Sequence, residues 1–169
     1  MSDSGDDDAK RGSHSPSWEL ASRDAITELM SGNADAVQFL YDISIFANTY
    51  DDLIDKDKSL TDENIHTLMG KMMVEMPSNK FFQDHQSEIL PVITTVLLNY
   101  HAANQIEVIG ELEELRVSHC LRYSMIDVGL LCMKITGGYD FASKNARRAR
   151  LMLQNDTWEH YKKEHYKEG

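Results

Sequence analysis

The segment that decides the fold is 111–136, ELEELRVSHCLRYSMIDVGLLCMKIT. Its apolar residues recur at spacings of three, four and seven, the period of an α-helix rather than the two-residue alternation of a strand. They flank one polar stripe on both sides, and the opposite face carries small or apolar side chains. A helix that is apolar on several sides lies inside a bundle. The segment therefore predicts a long central helix, with Leu121, Ile126 and Val128 as core positions.

The rest of the chain shows the same helical period, interrupted by short polar or glycine-containing breaks. Thr61 and Ser87 are expected to cap helices, and Gly137-Gly138 is the strongest stop signal. The expected helices cover about 24–30, 34–55, 61–76, 87–109, 111–136 and 139 to beyond 158. No stretch of useful length alternates as a strand does. The sequence therefore predicts an all-α fold, a compact bundle of about five to six helices with its central helix near 111–136.

The N-terminus differs in composition from the rest. Residues 1–17 are small, polar and charged and have no periodicity, which predicts a disordered tail. Within it, the segment 11–14 resembles a vector-derived remnant of a cleavable tag. The length of 169 residues leaves room for one hydrophobic core, so residues 18–169 are expected to form a single helical domain.

The charge balance indicates the kind of partner. The chain has 28 acidic and 17 basic residues and a net charge of -11. Such a surface repels phosphate backbones and anionic lipids, which argues against nucleic acid and against a membrane. A protein partner or self-association is the expected interaction. Cys120 and Cys132 lie too far apart along one helix to form a disulfide, which suits a reducing, cytoplasmic location.

The polar stripe of the segment 111–136 is the first candidate site. It contains Arg116, Tyr123, Asp127 and Lys134, with His119 beside it. Enclosed charges must be paired or must meet a ligand. One hypothesis is a pocket in which the two basic residues bind an anionic group while Asp127 or His119 handles a proton. The alternative is a satisfied core network or a line of surface salt bridges.

The second candidate site is the aspartate cluster Asp51, Asp52 and Asp55. These carboxylates are one to four residues apart and repel one another on a helix, and a divalent cation removes that cost. Mg²⁺ prefers a few carboxylates together with substrate phosphates. The alternative is a solvated helix face opposite the apolar stripe that includes Phe39 and Ile43.

The aspartate cluster resembles the first aspartate-rich (DDxxD) motif of the all-α isoprenoid diphosphate synthases and terpene synthases. The resemblance implies Mg²⁺ bound at Asp51, Asp52 and Asp55, holding a diphosphate inside a helical bundle. Asn155-Asp156 is similar to the start of the second metal motif of terpene synthases. That motif is incomplete, because Glu159 stands where a hydroxyl residue is expected.

A second enzyme class is similar in one respect. The all-α nucleotide pyrophosphohydrolases place ExxE on one helix and ExxD on the next, and Glu111 and Glu114 have the first spacing. The second is absent, since Ser124 stands three residues before Asp127. The expected function is therefore a small, acidic, non-catalytic helical module that binds a protein partner and needs no cofactor. The alternative is a Mg²⁺-dependent, diphosphate-binding enzyme or ligand-binding protein with an isoprenoid-synthase-like fold.

Overall fold

The structure, a computed structural model, describes residues 22–55, 59–154 and 156–166. Within these residues no strand is present, which confirms the all-α prediction. The predicted tail at 1–17 lies outside the described residues. Six helices have eight residues or more, in line with the expected bundle. The helical elements are α1 Arg23–Leu29, α2 Ala34–Asp55, α3 Asp62–Gly70, a π-helical turn Lys71–Glu75, α4 Met76–Ser78, α5 Lys80–Ile109, α6 Leu112–Arg122, α7 Ile126–Leu153 and α8 Trp158–His165.

Side-chain caps determine where several helices begin. Thr61 caps α3 as expected. It does so in a capping box, since its Oγ1 accepts from the N–H of Asn64 at 3.2 Å and Asn64 Oδ1 accepts from the N–H of Thr61 at 3.1 Å. Asn79 caps α5 by accepting from the N–H of Phe82 at 3.0 Å. α5 therefore begins at Lys80 rather than at the predicted Ser87, and this earlier start brings Phe82 into the core.

The core is one cluster of buried apolar side chains contributed mainly by α1, α2, α5 and α7. Phe39 lies at its centre and packs against Phe81 and Phe82, with ring centroids 6.1 and 5.6 Å away. Ile126 and Val128 are fully buried as predicted, whereas Leu121 is half-buried. Each fully buried side chain of this size contributes about 1.5–3 kcal/mol. The bundle therefore depends on α2 and α7 more than on the segment around Leu121.

The predicted continuous helix 111–136 is divided. α6 ends at Arg122 and α7 begins at Ile126, with a turn in between. In that turn the N–H groups of Tyr123 and Ser124 bond carbonyls three residues back, at 3.3 and 3.0 Å. Bonds of this type wind the backbone more tightly than an α-helix does, so residues before and after the turn do not share one helix face.

A second break lies inside α7. Gly138 has φ 82° and ψ 168°, a conformation that only glycine adopts readily, so the predicted stop at Gly137-Gly138 is confirmed. Asp127 and Arg150 lie on opposite sides of this break and form an ion pair. The two arms of α7 therefore run side by side.

Candidate functional site

The aspartates of the DDxxD motif have unequal surroundings. Asp51 is buried, at 3% exposure, and its Oδ1 accepts hydrogen bonds from the hydroxyl of Tyr100 and from Arg122 Nη1, the latter at 2.9 Å. Asp52 is half-buried. The side chain of Asp55 lies outside the described residues. Asp51 therefore faces the protein interior, and the alternative of a solvated helix face is wrong for this residue.

Arg122 is the centre of a buried polar network that joins α2, α5 and α6. Its Nε donates to Glu107 Oε1 at 2.8 Å, and its Nη2 donates to the other oxygen of the same carboxylate. Its guanidinium carbon also lies 4.5 Å from the ring centroid of Tyr100. The Arg122 side chain is only 2% exposed. A cation buried this deeply is tolerated because two carboxylates and an aromatic face replace its water.

The network continues from Glu107 into α8. The hydroxyl of Tyr161 donates to Glu107, and Ser118 Oγ lies 2.9 Å from Glu107 Oε1 and 3.1 Å from the carbonyl oxygen of Ala103. Burial raises the pKa of Glu107, but the hydrogen bonds and charge of Arg122 outweigh it and leave that pKa below its ordinary value. Glu107 is therefore a carboxylate at neutral pH, and the network clamps α5 to α6.

The charged members of the predicted polar stripe form separate surface pairs. Arg116 lies 3.5 Å from Glu113 and stacks over Trp158 at 4.9 Å. Lys134 bonds Glu88 at 3.1 Å. Asp127 pairs with neither of them but with Arg150. Because each has a different partner, they do not form the predicted anion pocket.

The other two members of the stripe lie in the core beside α8. His119 and Tyr123 are both buried and contact each other edge to face, with centroids 5.6 Å apart. The hydroxyl of Tyr123 accepts from the N–H of Asp156 at 3.1 Å, and burial raises its pKa. His119 also packs on Tyr161, at 4.9 Å. The structure thus brings this pair together as packing for α8, separate from Asp127 and Lys134. Arg116 reaches the same helix through Trp158, whose ring centroid lies 5.9 Å from that of His119.

An open groove of about 470 Å³ lies along α5 and α6. We call it the α5–α6 groove. Four of its six lining residues are apolar, and Ile109 and Val117 are 69% and 53% exposed. The lining residues are Ala102, Gln105, Ile106, Ile109, Glu114 and Val117.

The α5–α6 groove owes its shape to a tight reversal of the chain. Gly110 ends α5 in a left-handed conformation, with φ 75°, and its N–H bonds the carbonyl of Ile106 at 3.0 Å. α6 begins two residues later, at Leu112, so the two helices run antiparallel side by side. The Arg122–Glu107 clamp lies on the core side of this pair, and Val117 lies on the groove side. The clamp therefore fixes the position of α6 relative to α5, the two helices that line the groove.

Comparison with known protein families, curated proteins and solved structures finds no match to this chain. Among the described residues, no group of three or more His, Cys, Asp or Glu side chains is arranged to hold a metal ion. None of the helices in the described ranges combines the length and the hydropathy that crossing a bilayer requires.

Thermal unfolding with millimolar Mg²⁺ tests the alternative that the aspartates bind this ion. A ligand of the native state raises the melting temperature by mass action. We expect no rise, because Asp51 Oδ1 already accepts hydrogen bonds from Arg122 and Tyr100. A rise that disappears when Asp51, Asp52 and Asp55 are all changed to Asn would instead favour the Mg²⁺-dependent alternative. The matched control, Asp62→Asn with Glu63→Gln, alters two exposed carboxylates of α3.

Proposed function

We propose that this chain is a non-catalytic helical module that binds a protein partner by taking an amphipathic helix into the α5–α6 groove. The observation that carries the proposal is the exposure of apolar side chains along one face of a helical pair. Ile109 and Val117 line the groove, and Leu98, 65% exposed, continues the same row along α5. Contiguous exposed apolar surface of this kind marks an interaction site.

The spacing of the row fits a helical ligand. Leu98, Ala102, Gln105 and Ile109 follow one another at intervals of three and four residues and so form one ridge of α5. The ridge is about 16 Å long, which corresponds to about three turns of a bound helix. A helix in such a groove anchors apolar residues at i, i+3 or i+4, and i+7. A third helix on α5 and α6 buries these side chains as the bundle core buries its own.

A peptide-binding measurement tests the proposal. The probe is a fluorescein-labelled helical peptide of about 18 residues, with leucine at every third or fourth position. We expect fluorescence anisotropy to give a Kd on the order of 10 µM, and Val117→Asp to weaken it about tenfold or more by placing a charge in the apolar contact. The matched control is Val74→Asp, which alters a valine of similar exposure, 62%, on the π-helical turn. Unchanged binding by the Val117→Asp variant would contradict the proposal.

A second copy of the chain is the rival occupant of the α5–α6 groove. Sedimentation equilibrium of the protein alone distinguishes the two cases. We expect a monomer, because two copies joined through this surface bring their acidic Glu111, Glu113 and Glu114 into one assembly. A dimer that the Val117→Asp change dissociates would show that self-association fills the groove, and would overturn the proposal.

A further inference from the structure

Charge is distributed unevenly along the α5–α6 groove. At its closed end, beside the Gly110 turn, Glu111, Glu113 and Glu114 are all exposed. The basic residues of the segment 107–122 are Arg116 and Arg122. Arg122 is buried and paired with Asp51 and Glu107. Arg116 is therefore the basic residue of this segment that can balance the three exposed carboxylates. One positive and three negative charges give the exposed side chains of this segment a formal charge of -2. The residues of α8, whose C-terminal turn lies beside Gly110, add two positive and two negative charges and leave that sum unchanged.

The other end of the groove carries no formal charge on α5. From Ile89 to Ile106 that helix contains no Asp, Glu, Lys or Arg. Its exposed side chains there include Thr94, Thr95 and Leu98. A ligand lying along the groove therefore meets an apolar, uncharged surface at one end and an acidic one at the other.

The dipole of α6 acts against this negative charge but does not cancel it. The N-terminus of α6 lies at the acidic end, and a helix N-terminus is equivalent to a charge of about +0.5. Glu113 and Glu114 are in the first turn of α6, where that dipole stabilises them. Set against a formal charge of -2, half a unit leaves the closed end negative.

We infer that the α5–α6 groove selects a basic amphipathic helix, whose apolar face lies on Ile109 and Val117 and whose positive charges lie over Glu111, Glu113 and Glu114. This inference rests on the proposed function, since it names the chemistry of the helix that the groove binds. The apolar row supplies contact area that many helices share. The carboxylates at one end distinguish basic helices from acidic ones, since complementary charge sets specificity.

Three labelled peptides with the same leucine face test the inference. They carry lysine, glutamine or glutamate at the polar positions of one end. We expect the lysine peptide to bind about tenfold more tightly than the glutamine peptide, and the glutamate peptide to bind more weakly than both. The differences should shrink in high salt, because exposed charges are screened.

A double variant locates the selecting charges. Glu113→Gln with Glu114→Gln is expected to remove most of the preference for lysine, so that the lysine and glutamine peptides bind this variant with similar affinity. The matched control is Asp62→Asn with Glu63→Gln, which removes two exposed carboxylates from the first turn of α3 and should leave the preference intact.

The binding results distinguish the preference for basic helices from helix binding itself. If the glutamine peptide binds but the lysine peptide binds no better, the selection for basic helices is wrong and the helix-binding function stands. If the preference survives the Glu113 and Glu114 changes, those carboxylates do not select the ligand. If none of the three peptides binds, the proposed function fails and the inference falls with it.

Discussion

Replacing Arg122 with alanine is expected to lower the free energy of unfolding by about 3–5 kcal/mol, the largest loss for any single charged residue described. The substitution leaves two carboxylates, Asp51 and Glu107, in the interior without their common cation. Chemical denaturation at neutral pH measures the loss. The matched control is Arg116→Ala, because Arg116 is half exposed and pairs at the surface, where such a loss stays below about 1 kcal/mol.

The pH dependence of the Arg122→Ala loss identifies its cause. Burial raises the pKa of Glu107, but Arg122 outweighs burial and holds that pKa below the ordinary 4.5 in the folded protein. A carboxyl whose pKa falls on folding stabilises the native state above its ordinary pKa, and that stabilisation is lost as the pH falls through the folded pKa. In the variant, burial is opposed only by the hydrogen bond from Tyr161 and the charge of His165, so the pKa of Glu107 rises relative to the parent. The difference between parent and variant should therefore shrink between about pH 7 and pH 4.

Two results would contradict this account of Arg122. A loss equal to that of Arg116→Ala would mean that the network contributes little. A loss that does not change with pH would mean that packing, rather than charge, is responsible. If Arg122→Ala does not fold, the combined change Arg122→Met, Glu107→Gln and Asp51→Asn still tests the argument. Without charges the site should recover much of the stability, as buried ion clusters do when apolar or neutral groups replace them.

Much of the fold follows from local sequence signals. The helical period, the Thr61 capping box and the Gly137-Gly138 stop each depend on residues a few positions apart, and the structure has all three. The division at Tyr123–Met125 was not predictable in the same way. The apolar period continues across the turn, so the sequence of this segment alone favours one long helix.

The predicted polar stripe depended on one continuous helix, and the turn at Tyr123–Met125 interrupts it. A continuous helix aligns Arg116, Asp127 and Lys134, whereas the turn gives each a different partner. The sequence does not single out Arg122, because its partners are distant along the chain, 15 residues away at Glu107 and 71 at Asp51. Spacing within one helix carries no information on such pairs. One sequence signal for a buried arginine was present, since Arg122 directly follows the predicted core residue Leu121.

The α5–α6 groove was missed for a different physical reason. A helical period shows that α5 has an apolar face, but it does not show what covers that face. Ile109 fits the period of α5 as well as Val96 does, yet Val96 is 4% exposed and Ile109 is 69% exposed. Val96 lies in the core that α5 forms with α2 and α7, and this packing, rather than the helical period, distinguishes a core position from a binding surface.

Truncating Ile126 to alanine is expected to lower the free energy of unfolding by about 2–5 kcal/mol, while truncating its neighbour Asp127 costs less than about 1 kcal/mol. Ile126 is fully buried, so its loss removes apolar contact and leaves a cavity. Asp127 pairs with Arg150, and both side chains are more than 40% exposed, so water screens the pair and replaces it at little cost.

These adjacent residues therefore test how the first arm of α7 lies in the bundle, and urea denaturation of both variants provides the measurement. A large loss at Asp127 would mean that it belongs to a buried network, as the stripe hypothesis required. A small loss at Ile126 would mean that the arm is peripheral. The predicted contrast arises because α7 begins after the turn at Tyr123–Met125, which directs Ile126 into the core and places Asp127 beside Arg150 at the surface.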